Sequence, residues 1–318
     1  MRRIAPILAS LVLAACATGT DPATTLPATT VGTEPTTTTT ADAFPVSVEA
    51  DNGKVIIEER PDAIVSLSAT ATEMLFAVGA GPQVVAVDDQ SNYPEEAPTT
   101  DLSGFTPNLE AILSYQPDLV IMSFEPADAP LSAGLAETGV PALVLDAAQT
   151  IEDVYRQIEV IGEATGNLEA ARTLDQELRQ EIEAIVAETG TAGEGVTYYH
   201  ELDPALFTVT SETFIGQIYE LLGMENIADA ADPEGTGFPQ LSAEYIVAQD
   251  PDMIFLADAE FGESAETLAG RPGWQGMAAL ESGAVVELDA DIASRWGPRI
   301  VDFLRTIADV VQRHAVSG

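Results

Sequence analysis

The sequence predicts an α/β protein made of two parallel-sheet lobes joined by one long rigid helix. Three observations carry this. Short apolar runs alternate with helix-like stretches on both sides of the chain's middle, the pattern of parallel strands covered by helices. Between those regions, Thr150 to Thr189 keeps an amphipathic helical period. The segment LEAILSYQPDLVIMS at 109–123 is also echoed by AEYIVAQDPDMIFLA at 243–257: Glu110 falls on Glu244, Ile112 on Ile246, and Pro117-Asp118 on Pro251-Asp252.

The chain opens with MRRIAPILASLVLAAC. Two arginines precede an apolar run that ends within a dozen residues, too short for the about 20 residues a spanning helix needs. This reads as an export signal over 1–16. Its end, Leu13-Ala14-Ala15-Cys16, resembles a bacterial lipoprotein box, in which the cysteine is lipidated and becomes the mature N-terminus. Cys16 is the only cysteine, so no intrachain disulfide can form,. Residues 17–43 are mostly Thr, Pro, Ala and Gly with no apolar period and read as a flexible tether,. The protein is therefore expected on the outer face of the cytoplasmic membrane, held by lipid alone.

An N-terminal lobe is expected over 44–149. AIVSLS (63–68), QVVAVD (83–88), DLVIMS (118–123) and ALVLD (142–146) read as strands, with helices at TEMLFAVGA (72–80) and LEAILSYQ (109–116). A helical segment spans 150–189, where Leu168, Ala171, Leu174, Leu178, Ile182 and Ile185 recur at three- and four-residue steps,. Gly166-Asn167 should split it in two. A C-terminal lobe follows over 190–318. VTYYHEL (196–202), ALFTVT (205–210), DMIFLAD (252–258) and AVVELD (284–289) read as strands, with helices at FIGQIYELLG (214–223) and AEYIVAQ (243–249).

Twelve basic against 52 acidic residues give a formal charge of −40. Such a field repels nucleic acid and anionic lipid headgroups. Within it, Glu110 and Glu244 stand out by position. Asn108 and Ser242 are good N-caps two residues before each, which places both acids in a first helical turn. The helix dipole alone favours a carboxylate there by about 0.3–1 kcal/mol. It does not account for the recurrence on both lobes, which suits docking to a partner with twofold symmetry.

As a set, AIVSLSATATEMLFAVGAG, DQSNYPEEA, TPNLEAILSYQPDLVI, LFTVTSETFIGQIYELLGMENI, FPQLSAEYIVAQDPDMIFL and SRWGPRI carry a family likeness over about residues 44–315. The chain resembles the substrate-binding proteins of bacterial ABC importers, in the group that handles cobalamin, ferric siderophores and haem, and looks nearest to the cobalamin-binding members. The resemblance implies a class III periplasmic-binding-protein-like fold that opens and closes little, with its rigid helix within 168–188. It implies docking of Glu110 and Glu244 on arginines of an ABC permease dimer with its ATPase subunits. It implies a small-molecule metal chelate as cargo: cobalamin first, a ferric siderophore second, haem third. No resident cofactor and no nucleic acid are expected, and the protein is expected to be a monomer.

The resemblance also names cleft residues. Tyr93 matches an aromatic cobalamin contact through SNYPEEA, and Phe207 another through the Phe-Thr step before a Ser/Thr turn. Phe238 stands where the cobalamin proteins have tryptophan. Asp291 and Arg295 match a polar pair that touches the corrin side chains. An N-lobe tryptophan is missing and Gly104 or Phe105 takes its place, while Trp296 is an added aromatic. Bland alternatives stand beside these. Phe207 and Phe238 also suit a core, Tyr93 before Pro94 a stiff turn, Arg295 an ion pair with Asp291, and Arg299 a structural ion pair.

Two other classes find little support. Bare-metal capture needs clustered His and carboxylate ligands, and only His200 and His314 are present. An enzyme needs a nucleophile, a metal cluster or a phosphate loop. G-x-S-x-G, S-x-x-K, H-E-x-x-H and P-loop patterns are absent, and Gly79-Ala80-Gly81 ends a helix rather than opening one,.

Overall fold

The computed structural model describes residues 44–125 and 130–317. The export signal, Cys16 and the tether over 17–43 lie outside the described residues. Among those described, no helix is long and apolar enough to cross a membrane.

A hairpin comes first, β1 (Val46–Ala50) against β2 (Gly53–Ile57), antiparallel, with Ala50 opposite Gly53. Next come β3 (Ile64–Leu67), α1 (Ala69–Ala77), β4 (Val84–Val87), α2 (Leu109–Leu113), β5 (Leu119–Met122), α3 (Leu131–Glu137) and β6 (Ala142–Val144). The last four strands form a parallel sheet in the order β4-β3-β5-β6. β3, β5 and β6 are buried on both faces, which is why they read as unbroken apolar runs and not as alternation. The hairpin turn shields the sheet's outer edge: Asn52 donates from Nδ2 to Ala142 O at 3.0 Å and accepts from Val144 N at 3.2 Å,.

Two long helices follow, α4 (Ile151–Thr165) and α5 (Leu168–Thr189). A capping box between Thr150 and Asp153 starts α4, and left-handed Gly166 (φ 75°) ends it,. The helices meet so closely that a Cβ on Gly162 would lie 2.4 Å from that of Ala171. The anticipated break at Gly166-Asn167 is therefore a tight helical hairpin.

The second half holds β7 (Thr197–Glu201), α6 (Phe214–Glu220), β8 (Glu225–Asn226), α7 (Ala243–Gln249), β9 (Met253–Leu256), α8 (Ala265–Ala269), α9 (Ala278–Ser282), β10 (Val285–Glu287), α10 (Ala290–Ser294) and α11 (Ile300–Ser317). Its sheet is parallel with order β10-β9-β7-β8. Taken from the other edge this is β8-β7-β9-β10, the strand order of the first sheet.

The repeated Pro-Asp has a structural job in both copies. Asp118 accepts from the amides of Asp62 and Ala63 at 3.0 and 3.1 Å, and Asp252 from Thr197 N at 2.9 Å and Thr197 Oγ1 at 2.8 Å. Each carboxylate thus ties the start of its own strand to the start of the neighbouring central strand. The caps recur too: Asn108 accepts from Ala111 N, and Ser242 from Tyr245 N.

One apolar core runs through both sheets. Ile64, Leu119 and Ile121 from the first and Tyr198, Met253 and Phe255 from the second join α4, α5 and α11 in one buried cluster. The outer faces have cores of their own, around Ile112 and Leu135 in the first half and Ile246, Leu268 and Trp274 in the second.

Several expectations need correction. ALFTVT is not a sheet strand. Leu206 is left-handed (φ 68°) and Leu202 N donates to Phe207 O at 2.9 Å, so the chain doubles back. Residues 206–210 run beside 237–241 instead, with a bridge between Phe207 and Gln240. α2 stops at Leu113 because Gln116 turns left-handed before the Pro-Asp. α1 starts earlier than expected, because Ser68 accepts from Ala71 N. The hairpin, α3, α8 to α10 and α11 were not anticipated.

Candidate functional site

In parallel sheets, ligands gather at the carboxyl ends of the strands. Here those ends carry Ser68 after β3, Asp88 after β4, and Ser123 and Phe124 after β5. In the second half they carry Asp258 after β9 and Asp289 after β10. A pocket of about 180 Å³ lies between the halves, lined by Ser68, Asp88, Phe105 and Phe124 from the first and by Arg295 and Trp296 from the second.

Phe105 is 72% exposed. Its neighbour Gly104 is fixed by packing, since a Cβ there would come 2.6 Å from Leu67 O and 2.8 Å from an Asp88 carboxylate oxygen. Of the two candidates for the absent aromatic, only Phe105 presents a ring. Phe124 is also exposed and lines the same pocket. Its only mark in the sequence is its place directly after the apolar run 118–123, where a cleft loop begins.

Tyr93 is exposed, with the guanidinium carbon of Arg299 4.3 Å from its ring centroid. Phe207 and Phe238 are both exposed, which removes the core reading for each. They stand on the paired segments beyond β7 and do not line the 180 Å³ pocket. Trp296 packs against the shared core and donates its Nε1–H to Gln157 Oε1 on α4 at 3.0 Å.

Arg295 is buried. It meets Asp291 at 2.6 Å, Glu73 at 2.9 Å, Asn92 Oδ1 at 2.8 Å and Gln90 O at 2.9 Å. Arg299 makes the structural ion pair expected of it, with Glu73. Around the first-half loop, Thr72 Oγ1 donates to Ser66 Oγ at 2.9 Å and lies 2.8 Å from Ser91 Oγ, which donates to Asp88 at 2.5 Å. Burial raises the Asp88 carboxyl above its ordinary value, and the Ser91 bond opposes the shift,.

Glu110 and Glu244 are both exposed in the first turns of α2 and α7. Each helix leads directly into the third strand of its sheet order, so each acid opens the same unit in its half.

A second polar group sits at the carboxyl end of the second sheet. Arg271 grips Glu201 with both Nη atoms, at 2.6 and 2.5 Å, and reaches Glu263 at 2.9 Å. Asp258 is buried beside them with neither oxygen hydrogen-bonded, and burial pushes it up to about 6. Phe261, 78% exposed, stands on the turn that follows.

His200 is fully buried, its Nδ1 2.9 Å from Tyr219 Oη, and burial pushes it down to about 3. It is a neutral core histidine. Among the described residues no cluster of His, Cys, Asp or Glu could hold a metal ion.

Comparison with known proteins bears on this arrangement. Residues 64–292 match the family described as periplasmic binding protein. An uncharacterised ABC transporter substrate-binding lipoprotein of Bacillus subtilis is 31% identical over 278 residues, covering 85% of this chain and 86% of its own length. A cobalamin-binding protein of Halobacterium salinarum is 31% identical over 281 residues, covering 85% and 74%. Among solved structures, the periplasmic vitamin B12 binding protein of Vibrio cholerae superposes with a TM-score of 0.63 at 24% identity, covering 80% of this chain and 97% of its own. A periplasmic haem-binding protein of Roseiflexus in its apo form gives 0.70 at 23%, covering 80% and 99%.

Proposed function

Because the chain belongs to the periplasmic binding protein family, we propose that it captures cobalamin or a closely related metal chelate outside the cytoplasmic membrane and delivers it to an ABC importer. Members of this family are binding components of transport systems and not enzymes. The observation that carries the cargo reading is the exposed aromatic set on the loops beyond the strands of both sheets, Tyr93, Phe105, Phe207 and Phe238, with Trp296 lining the same pocket as Phe105. Rings of this kind suit a large flat cargo with polar edges. The 180 Å³ pocket is smaller than the about 300–1,000 Å³ of a typical ligand site,. It would take an edge or side arm, while the body of the cargo lies over the open rings.

The Asp291–Arg295 pair stands behind that wall. Four of the five N–H donors of Arg295 go to protein acceptors,, whereas Asp291 keeps an exposed edge for the cargo's polar arms. Glu110 and Glu244 dock on the permease dimer, which works with its ATPase subunits, and Cys16 carries the lipid anchor. The protein acts as a monomer. The relatives that bind cobalamin favour a corrin over a ferric siderophore or haem.

Titration of purified protein with cyanocobalamin, a ferric hydroxamate and haemin, followed by tryptophan fluorescence and calorimetry, tests the assignment. Cyanocobalamin is expected to bind with submicromolar affinity and the others at least tenfold more weakly. Tight binding of the hydroxamate or haemin alone reassigns the cargo, and binding of none overturns the reading.

A further inference from the structure

Glu73 lies one turn into α1 and is only 3% exposed, although it is charged. Both guanidiniums that pair with it come from the other half of the molecule. Arg295 closes α10 and Arg299 sits just before α11. Glu73 Oε1 accepts from Arg295 Nη1 at 2.9 Å and Arg299 Nη2 at 2.5 Å, and Oε2 accepts from Arg299 Nε at 2.8 Å. Two charge-assisted bonds to one arginine and one to the next form a strong, directional clamp.

The clamp extends to the rim. Arg295 holds Asn92 and the Gln90 carbonyl, and Asn92 Nδ2 donates to Asp291 at 2.7 Å. These contacts fix the 90–93 loop that carries Tyr93, and Arg299 lies over the Tyr93 ring. Trp296 sits between the two clamped arginines, with its own N–H fastened to α4. Two rings proposed to contact cargo, one from each half, thus stand on a scaffold whose buried anion is Glu73.

We propose that Glu73 is a positioning residue: through Arg295 and Arg299 it latches the two halves together and sets Tyr93 and Trp296 in place before cargo arrives. Arg295 then acts as part of the latch and not as a cargo ligand. The placement of Tyr93 and Trp296 against cargo rests on the binding function proposed above, whereas the latch itself does not.

The test has a cargo-free arm and a cargo arm. In the first, hydrogen exchange and small-angle scattering are measured on wild type, Glu73→Gln and Glu73→Asp. Glu73→Gln is expected to speed exchange at least tenfold in residues 88–93 and 290–299 and to leave the outer-face helices α2 and α7 unchanged. Glu73→Asp should restore most of the protection. In the second arm the same proteins bind cyanocobalamin at a temperature where each is fully folded. If loosening leaves a tenth of the molecules competent, the apparent Kd weakens about tenfold. Cargo should then contract the Glu73→Gln protein in scattering while wild type stays constant.

Should Glu73→Gln fail to fold, Glu73→Leu/Arg299→Leu removes the central buried charge pair in a volume-matched way and is read identically. Wild-type exchange and affinity in either variant overturn the proposal. If wild type itself ignores cyanocobalamin, the cargo assignment fails and the exchange arm still decides the latch.

Discussion

Asp175 sits on α5, 7% exposed, with its Oδ1 unpartnered. Burial pushes its carboxyl up to about 7; Glu159 on α4 adds to the shift and Arg179 opposes it. In the unfolded chain the group titrates near 3.8. The folded state therefore binds the extra proton between those values, and its stability rises as pH falls through that window. The contribution is complete below 3.8 and lost as pH climbs past 7. A rise of roughly three pKa units at about 1.4 kcal/mol each sets a ceiling near 4 kcal/mol. Because effective dielectrics at such sites are nearer 20 than 4, about 2 kcal/mol is the working figure. Asp175→Asn removes the charge and keeps the shape. At pH 8 it is expected to stabilise the protein by about 2 kcal/mol, a Tm gain of about 3–4 °C in a chain of this size. At about pH 3.5, below the unfolded value of 3.8, the gain should nearly vanish,. Urea and thermal melts of variant and wild type at both pH values measure the difference. Reading the difference cancels the other raised carboxyls, Asp88, Asp146, Glu201 and Asp258. A gain of equal size at both pH values would refute the reasoning, because a packing change carries no proton.

Three further outcomes are expected. Glu110→Arg with Glu244→Arg should abolish cargo uptake by cells while calorimetry finds cargo affinity unchanged; transport at the wild-type rate would remove the docking role. Phe105→Ala, at an exposed ring, should weaken cyanocobalamin binding about tenfold, from a lost stacking contact of about 1–1.5 kcal/mol, and leave the melting temperature within a degree. Gly104→Ala forces a methyl against Leu67 O and should cost about 1–3 kcal/mol in urea denaturation, the range for overpacking.

Much of the fold was legible because its signals are local. The apolar runs at 64–67, 119–122 and 253–256 are fully buried strands whose one polar residue is Ser66. The echo of Glu110 and Glu244 with their caps gave matched helices in matched places. The segment 205–210 misled because alternating Phe, Thr and Val fit a strand, while the left-handed Leu206 that bends it away carries no sequence mark. α11 was legible and overlooked: Ile300, Phe303, Leu304, Ile307 and Val311 recur at helical spacing and are all buried. The site was harder. Tyr93, Phe105, Phe207 and Phe238 came through as exposed rings. Arg295 could not be assigned from sequence, because its partner Glu73 lies 222 positions away and nothing local marks that glutamate as buried.

The continuous apolar core has a consequence for the chain as a polymer. A break at Gly166-Asn167 would leave each fragment with a greasy flank that only the other can cover. Neither piece should be soluble alone, yet co-expressed they should reassemble, so this protein is a candidate for splitting into a complementation pair and a poor one for dissection into free-standing modules.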